Sequence, residues 1–170
     1  MLPTLLFAQQ RAPNPEDLPS KEPVIRPSSN QGYKLVINTG GSFAFEIPEA
    51  WDATHNGAKT DGYYILPNNI ASSDSVVIAI ARAPSVGNNN GFLRMLQYQY
   101  GEYEPFTFHD ENQGYHFEQP NKRSEVYARL GTKMRLLLTI DAPSEWRKQN
   151  REKLIYLAKS IRIQSFNLQR

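Results

Sequence analysis

The chain contains no cysteine. That excludes disulfides, thiol nucleophiles, zinc ribbons, thiolate-held clusters and a lipidated cysteine anchor, although it does not fix the compartment. A chain of 170 residues buries roughly 70% of its unfolded surface on folding, enough to hold a core without metal or cross-links. Catalytic and cofactor signatures are missing as well. There is no Gly-x-Ser-x-Gly elbow, no glycine-rich loop ahead of Lys-Ser or Lys-Thr, and no dinucleotide fingerprint. Histidine is scarce, with only His55, His109 and His116. His109-Asp110-Glu111 followed by His116 fits no metal-ligand spacing, even if Gly114 makes a turn that sets the two histidines across a hairpin. Solvated loop histidines, no metal and no cofactor are the expectation.

What is present begins with proline. Pro3, Pro13, Pro15, Pro19, Pro23 and Pro27 crowd the first 27 positions, where fixed φ and missing donors forbid an ordinary helix or central strand. Residues 9–31 therefore read as a linker. Leu2 to Ala8 is apolar but too short to cross a bilayer, and ending in Leu-Leu-Phe-Ala before a polar stretch it matches the cleavage end of an export signal. Residues 1–8 are expected to be a signal remnant and 32–168 one domain.

From Tyr33 the pattern turns periodic. Tyr33, Leu35 and Ile37, then Phe43, Phe45 and Ile47, alternate with their neighbours around Thr39-Gly40-Gly41, which predicts a tight hairpin with glycines at positive φ. Pro48 stops the second strand, and Trp51 is expected to close the core. Tyr63–Leu66 is a short strand, and Val76–Ala81, apolar on both faces, is a central one. Phe92, Leu93, Leu96 and Tyr100 predict a helix capped by Asn89 or Asn90 and ending near Gly101. Residues 125–129 and 134–140 form a strand pair. A last helix follows, capped by Asp141 or Ser144, with Trp146, Asn150, Leu154, Leu157, Ala158 and Ile161 on one stripe. Its wet face carries Arg147, Lys148, Arg151 and Lys153. The fold class is α+β, an antiparallel β-sheet flanked by helices, in a single domain with an extended Pro-rich N-terminal segment.

Ser42-Phe43-Ala44-Phe45-Glu46-Ile47-Pro48-Glu49-Ala50-Trp51 at the start, and Leu157-Ala158-Lys159-Ser160-Ile161-Arg162-Ile163 at the end, resemble the PsbP-like superfamily over roughly residues 33–166. The resemblance implies an antiparallel sheet with flanking helices. It also implies an accessory or scaffold role, as in photosystem subunits and bacterial exported proteins, and it transfers no catalytic residues.

Residues 97–120 interleave aromatics with acids and hold no lysine or arginine. Tyr98, Tyr100, Tyr103, Asp110, Glu111 and Tyr115 are the candidate protein- or ligand-binding residues there, although alternate aromatics can equally face the core of a hairpin. Arg147, Lys148, Arg151 and Lys153 form a candidate basic face that suits an acidic protein or anionic lipid head groups at a membrane surface. Nucleic acid is not expected, because the bases alternate with strand residues or share a helix with acids. The net charge of +2 conceals balances of zero over residues 1–30, −6 over 31–120 and +8 over 121–170. Either two oppositely charged regions or one self-neutralised surface follows, depending on how the strands pair.

The expectation is a non-enzymatic exported, periplasmic accessory domain that binds another protein, as an assembly factor or as an immunity or inhibitor protein. Its state would be monomer or small homo-oligomer. The alternative is a small-ligand or cell-wall glycan binder, or a hydrolase, using residues 97–120.

Overall fold

The structure is a computed structural model that describes residues 21–163 other than 41, 58–60, 72–74, 85–86 and 120–122. The expected signal remnant, most of the linker and residues 164–168 lie outside the described residues. Strands β1 (Val24–Pro27), β2 (Tyr33–Ile37), β3 (Phe43–Pro48), β4 (Asp52–His55), β5 (Gly62–Leu66) and β6 (Val77–Ala83) come first. Helix α1 (Asn89–Tyr100) leads to β7 (Tyr103–Thr107), β8 (Gln113–Glu118), β9 (Ser124–Leu130) and β10 (Arg135–Asp141). Helices α2 (Ser144–Gln149) and α3 (Arg151–Ser160) and the short β11 (Arg162–Ile163) complete the order.

Two antiparallel sheets result, one ordered β1-β2-β3-β11 and one ordered β4-β5-β6-β10-β9-β8-β7. The α+β architecture is as expected, with two sheets where one was anticipated. β1 corrects the linker boundary. Pro23 and Pro27 flank a strand that pairs only with β2, and an edge position needs one row of backbone bonds rather than two. The β2–β3 hairpin forms in the predicted strands, but Tyr33, Leu35 and Ile37 lie opposite Pro48, Glu46 and Ala44, so Val36, opposite Phe45, is the residue β2 sends into the inner core; Gly40 does not take a positive φ. The fully buried Asn38 closes the turn instead: its Oδ1 accepts from the backbone N–H of Ser42 at 2.7 Å and of Phe43 at 2.9 Å.

Helix α1 is capped by Asn88, one residue before the expected caps, through its Oδ1 and the Gly91 N–H at 2.8 Å, and it ends at Gly101 with φ 92°. The predicted last helix is two helices. Neither Asp141 nor Ser144 caps it with a side-chain bond, and the chain breaks at Asn150, where φ is −106° and ψ 12°. The Asn150 side-chain amide donates to the Trp146 carbonyl at 3.0 Å, sharing that acceptor with its own backbone N–H at 3.1 Å.

The seven-stranded sheet has a core on each face. The inner core lies between the two sheets and α2/α3, with Phe43, Phe45, Ile47, Trp51, Ile80, Leu138 and Leu157 among its buried members. The outer core lies under α1, where Phe92 and Leu96 meet Phe117, Val126 and Ala128. α3 lies along β3, and its last residue explains the Ser in the C-terminal signature. Ser160 Oγ accepts from the Glu46 N–H at 2.8 Å and donates to the Leu157 carbonyl at 2.7 Å, satisfying a strand donor that β11 is too short to reach.

Gly114 sits inside β8 opposite Phe106, so the turn of this hairpin is at 108–112 and His109 and His116 do not face each other. A Cβ at Gly114 would stand 2.4 Å from the Phe108 ring and 2.5 Å from the Ala128 carbonyl oxygen. Because one obstacle is backbone, G114A is expected to destabilise the fold by about 1–3 kcal/mol, measured by urea denaturation. Unchanged stability would mean that β8 and β9 separate more freely than this register allows.

Candidate functional site

Strand register assembles the largest buried polar cluster. β8 and β9 set His116 opposite Tyr127 and Glu118 opposite Glu125. The His116 and Tyr127 rings stack at 4.3 Å with an interplanar angle of 11°. Two carboxylates directly opposite repel each other, and Arg147 and Arg151, four residues apart and so on one side of the helix pair, supply the remedy. Arg147 Nη1 lies 3.3 Å from both Glu118 and Glu125, and Arg151 Nη1 donates to Glu125 at 2.7 Å. Glu125 also receives His116 Nε2 at 2.8 Å and the Tyr127 hydroxyl at 2.5 Å. Burial alone would raise the Glu125 pKa, but hydrogen bonds from His116 and Tyr127 and the charge of Arg151 outweigh it and hold the carboxyl at about 2. Burial, reinforced by Glu125, pushes the Tyr127 phenol well above its usual range.

The chemistry this cluster permits is narrow. Glu125 has no exposed surface, and it accepts from four side chains, so it is ionised at neutral pH with no lone pair presented to a substrate. His116, Glu118 and Glu125 do offer ligand atoms within 4.8 Å of one another. Two guanidinium groups already occupy those carboxylates, and a divalent cation would have to displace them, so the residues do not fit a metal. A second buried carboxylate follows the same plan. Glu46 accepts from the Tyr156 hydroxyl at 2.5 Å and Asn30 Nδ2 at 2.9 Å and pairs with Arg162. Burial would raise its pKa, but those bonds hold it below the ordinary carboxylate range.

The predicted basic face is corrected by this geometry. Arg147 is 4% exposed and Arg151 is half-buried against Glu125; only Lys148, paired with Glu145, and Lys153 stand on the wet side. The aromatic–acidic candidates also divide. Tyr100, Tyr103 and Tyr115 are half-buried in the outer core, with Tyr103 edge-on to Tyr115 at 4.9 Å and Tyr100 at 6.2 Å from Phe117. Asp110 receives both terminal nitrogens of Arg129, at 2.9 and 2.6 Å. Glu111 is exposed on the turn at φ 64°. Tyr98 alone among these tyrosines is free of the core, at 95% exposed.

An open apolar surface of the sheet was not singled out from the sequence. Thr54, Tyr64, Ala79, Thr139, Val126, Phe117 and Tyr103 register in one row across all seven strands. α1 covers the end of that row at β8 and β9. At the other end Tyr64 is 42% exposed, and Leu66 and Val77, on the same face by the two-residue period, are each 48% exposed. Tyr100 marks the α1 flank nearest Phe117; Met95, 49% exposed, lies on the opposite flank by helical spacing. The signal was the strand 76–81, apolar on both faces. It is central in the sheet, as expected, but only its inner face is fully covered.

The fold is PsbP-like. The solution structure of cyanobacterial PsbP (CyanoP) from Synechocystis sp. PCC 6803 is similar to it with a TM-score of 0.53 and 11% sequence identity, over 82% of this chain and 96% of that one. No family model matches the chain and no curated protein does.

Proposed function

We propose that this chain is a non-catalytic accessory domain, exported to the periplasm, that docks a protein partner on the outer face of its seven-stranded sheet. The observation that carries the reading is the clustering of exposed apolar side chains. Of the six large hydrophobic residues most exposed among the described residues, Tyr64, Leu66 and Val77 are neighbours on β5 and β6 at the open end of that face, while Met95 and Tyr98 stand on α1 over its other end. Contiguous exposed apolar surface of this kind marks interaction sites, and aromatic side chains with Met are enriched in them. The buried charges support a non-catalytic role, because the carboxylates and arginines with unusual surroundings are committed to one another. An accessory role agrees with the resemblance to the PsbP-like superfamily, and export with the apolar Leu2–Ala8 stretch.

A triple variant, Tyr64→Thr, Leu66→Thr and Val77→Thr, keeps strand-forming side chains at exposed positions. It is expected to fold normally by circular dichroism while recovering at least tenfold less partner than wild type in a pull-down from envelope extract. Equal recovery by the two proteins would remove this face from the account.

A further inference from the structure

Where the two sheets part, the start of β3 and β11 face the β9–β10 turn across a cleft of about 590 Å³. That volume falls in the range of small-molecule sites. Its surface has two characters. Leu130, Met134 and Ile163 make an apolar wall, while Thr132, Lys133 and Ser42, whose hydroxyl makes only a long 3.4 Å bond to Asn38 Oδ1 in the free protein, bring donors to the same space. No acidic side chain lines it among the described residues. Arg129 also reaches the cleft, but Asp110 and the Ile161 carbonyl, 2.6 Å from Nη1, hold its guanidinium, and the Phe108 ring stacks beneath it at 4.9 Å. Arg129 is therefore a rigid wall whose charge is offset from behind. Lys133 is exposed and has no ion-pair partner among the described residues, so it supplies the uncompensated positive charge.

The turn itself is built to keep this space open. The Gly131 N–H bonds the Met134 carbonyl at 2.9 Å, and a Cβ at Gly131 would stand 2.8 Å from that oxygen and 3.5 Å from Ile163 Cδ1. Any larger residue there would clash with that carbonyl and loosen the turn, while meeting Ile163 at ordinary contact distance.

We propose that this cleft binds a small amphiphilic carboxylate, with its apolar body against Leu130, Met134 and Ile163 and its carboxylate on Lys133 and the Ser42 and Thr132 hydroxyls. One free ammonium with neutral donors matches a monoanion. A phosphate dianion would need more unpaired cations than the cleft provides. The site is separate from the outer sheet face, and neither proposal depends on the other.

The test is an NMR titration of the full chain, with amide shifts followed as sodium octanoate, octanol or acetate is added. Octanoate is expected to give saturable shifts centred on Leu130–Met134, Ser42 and Ile163, with octanol and acetate at least tenfold weaker. Lys133→Gln, at an exposed position, is expected to weaken octanoate about tenfold, the loss of one charge-assisted bond. Leu66→Thr, on the outer sheet face, should leave the affinity unchanged. Shifts centred on Tyr64, Leu66 and Val77, equal binding of octanol, or unaltered affinity in Lys133→Gln would each overturn the proposal.

Discussion

Glu125→Gln is expected to cost about 3–5 kcal/mol of folding stability at pH 7, because the change leaves Arg147, 4% exposed, beside a neutral amide. The pair as such need not be worth that much. Most of the loss is buried charge left under-compensated, since the carboxylate Arg147 keeps, Glu118 at 3.3 Å, is part-exposed, so Glu125→Leu combined with Arg147→Met should recover a large part of it. The same carboxylate sets an acid limit. Its folded pKa of about 2 lies below the ordinary value of 4.5, so its contribution is fully present above pH 4.5 and is lost as pH falls toward 2. That contribution is on the order of 3 kcal/mol. Urea midpoints measured from pH 7 down to pH 2.5 should therefore fall less in the double variant than in wild type. Parallel curves would mean that Glu125 is not the carboxylate responsible.

Trp51→Ala is the second large effect, at about 3–5 kcal/mol. Trp51 is fully buried and its ring lies 6.2 Å from that of Trp146; the bond from its backbone N–H to the Pro48 carbonyl, at 2.9 Å, survives the change. It joins the end of β3 to α2, and alanine would leave a cavity where the inner core meets the helix pair. In a chain of this size such a loss corresponds to a melting temperature lower by roughly 10 °C, readable by calorimetry. A decrease below about 3 °C would place the weight of the core elsewhere.

Local pattern carried much of the fold. Alternation from Tyr33 to Ile47 identified two strands, helical spacing from Phe92 to Tyr100 identified α1, and the stripe from Trp146 to Leu157 identified the core side of α2 and α3. Facts that depend on what lies opposite were not local. Glu118 meets Glu125 only because β8 and β9 pair in one particular register, and nothing within either strand states it. Arg147 and Arg151 read as a solvated face of the helix; the place where α2 and α3 meet β8 and β9 makes them partners of those carboxylates. Val77 read as buried because both faces of its strand are apolar, but α1 covers only the far half of the sheet.

The charge asymmetry shows the same limit. Asp110 with Arg129, Glu118 with Arg147 and Arg151, and Glu46 with Arg162 all join the acidic middle of the chain to its basic end. Between the two open outcomes, strand pairing selects the self-neutralised one. What remains for recognition is surface that these pairs do not occupy, and the outer sheet face is the apolar part of it.

Site-specific photo-crosslinking tests that claim most directly. A benzophenone side chain at Tyr64 or Tyr98 in the intact cell envelope is predicted to give one discrete protein adduct, while the same group at Lys148, on the opposite layer, gives none. Adducts at Lys148 with none at Tyr64 would contradict the account.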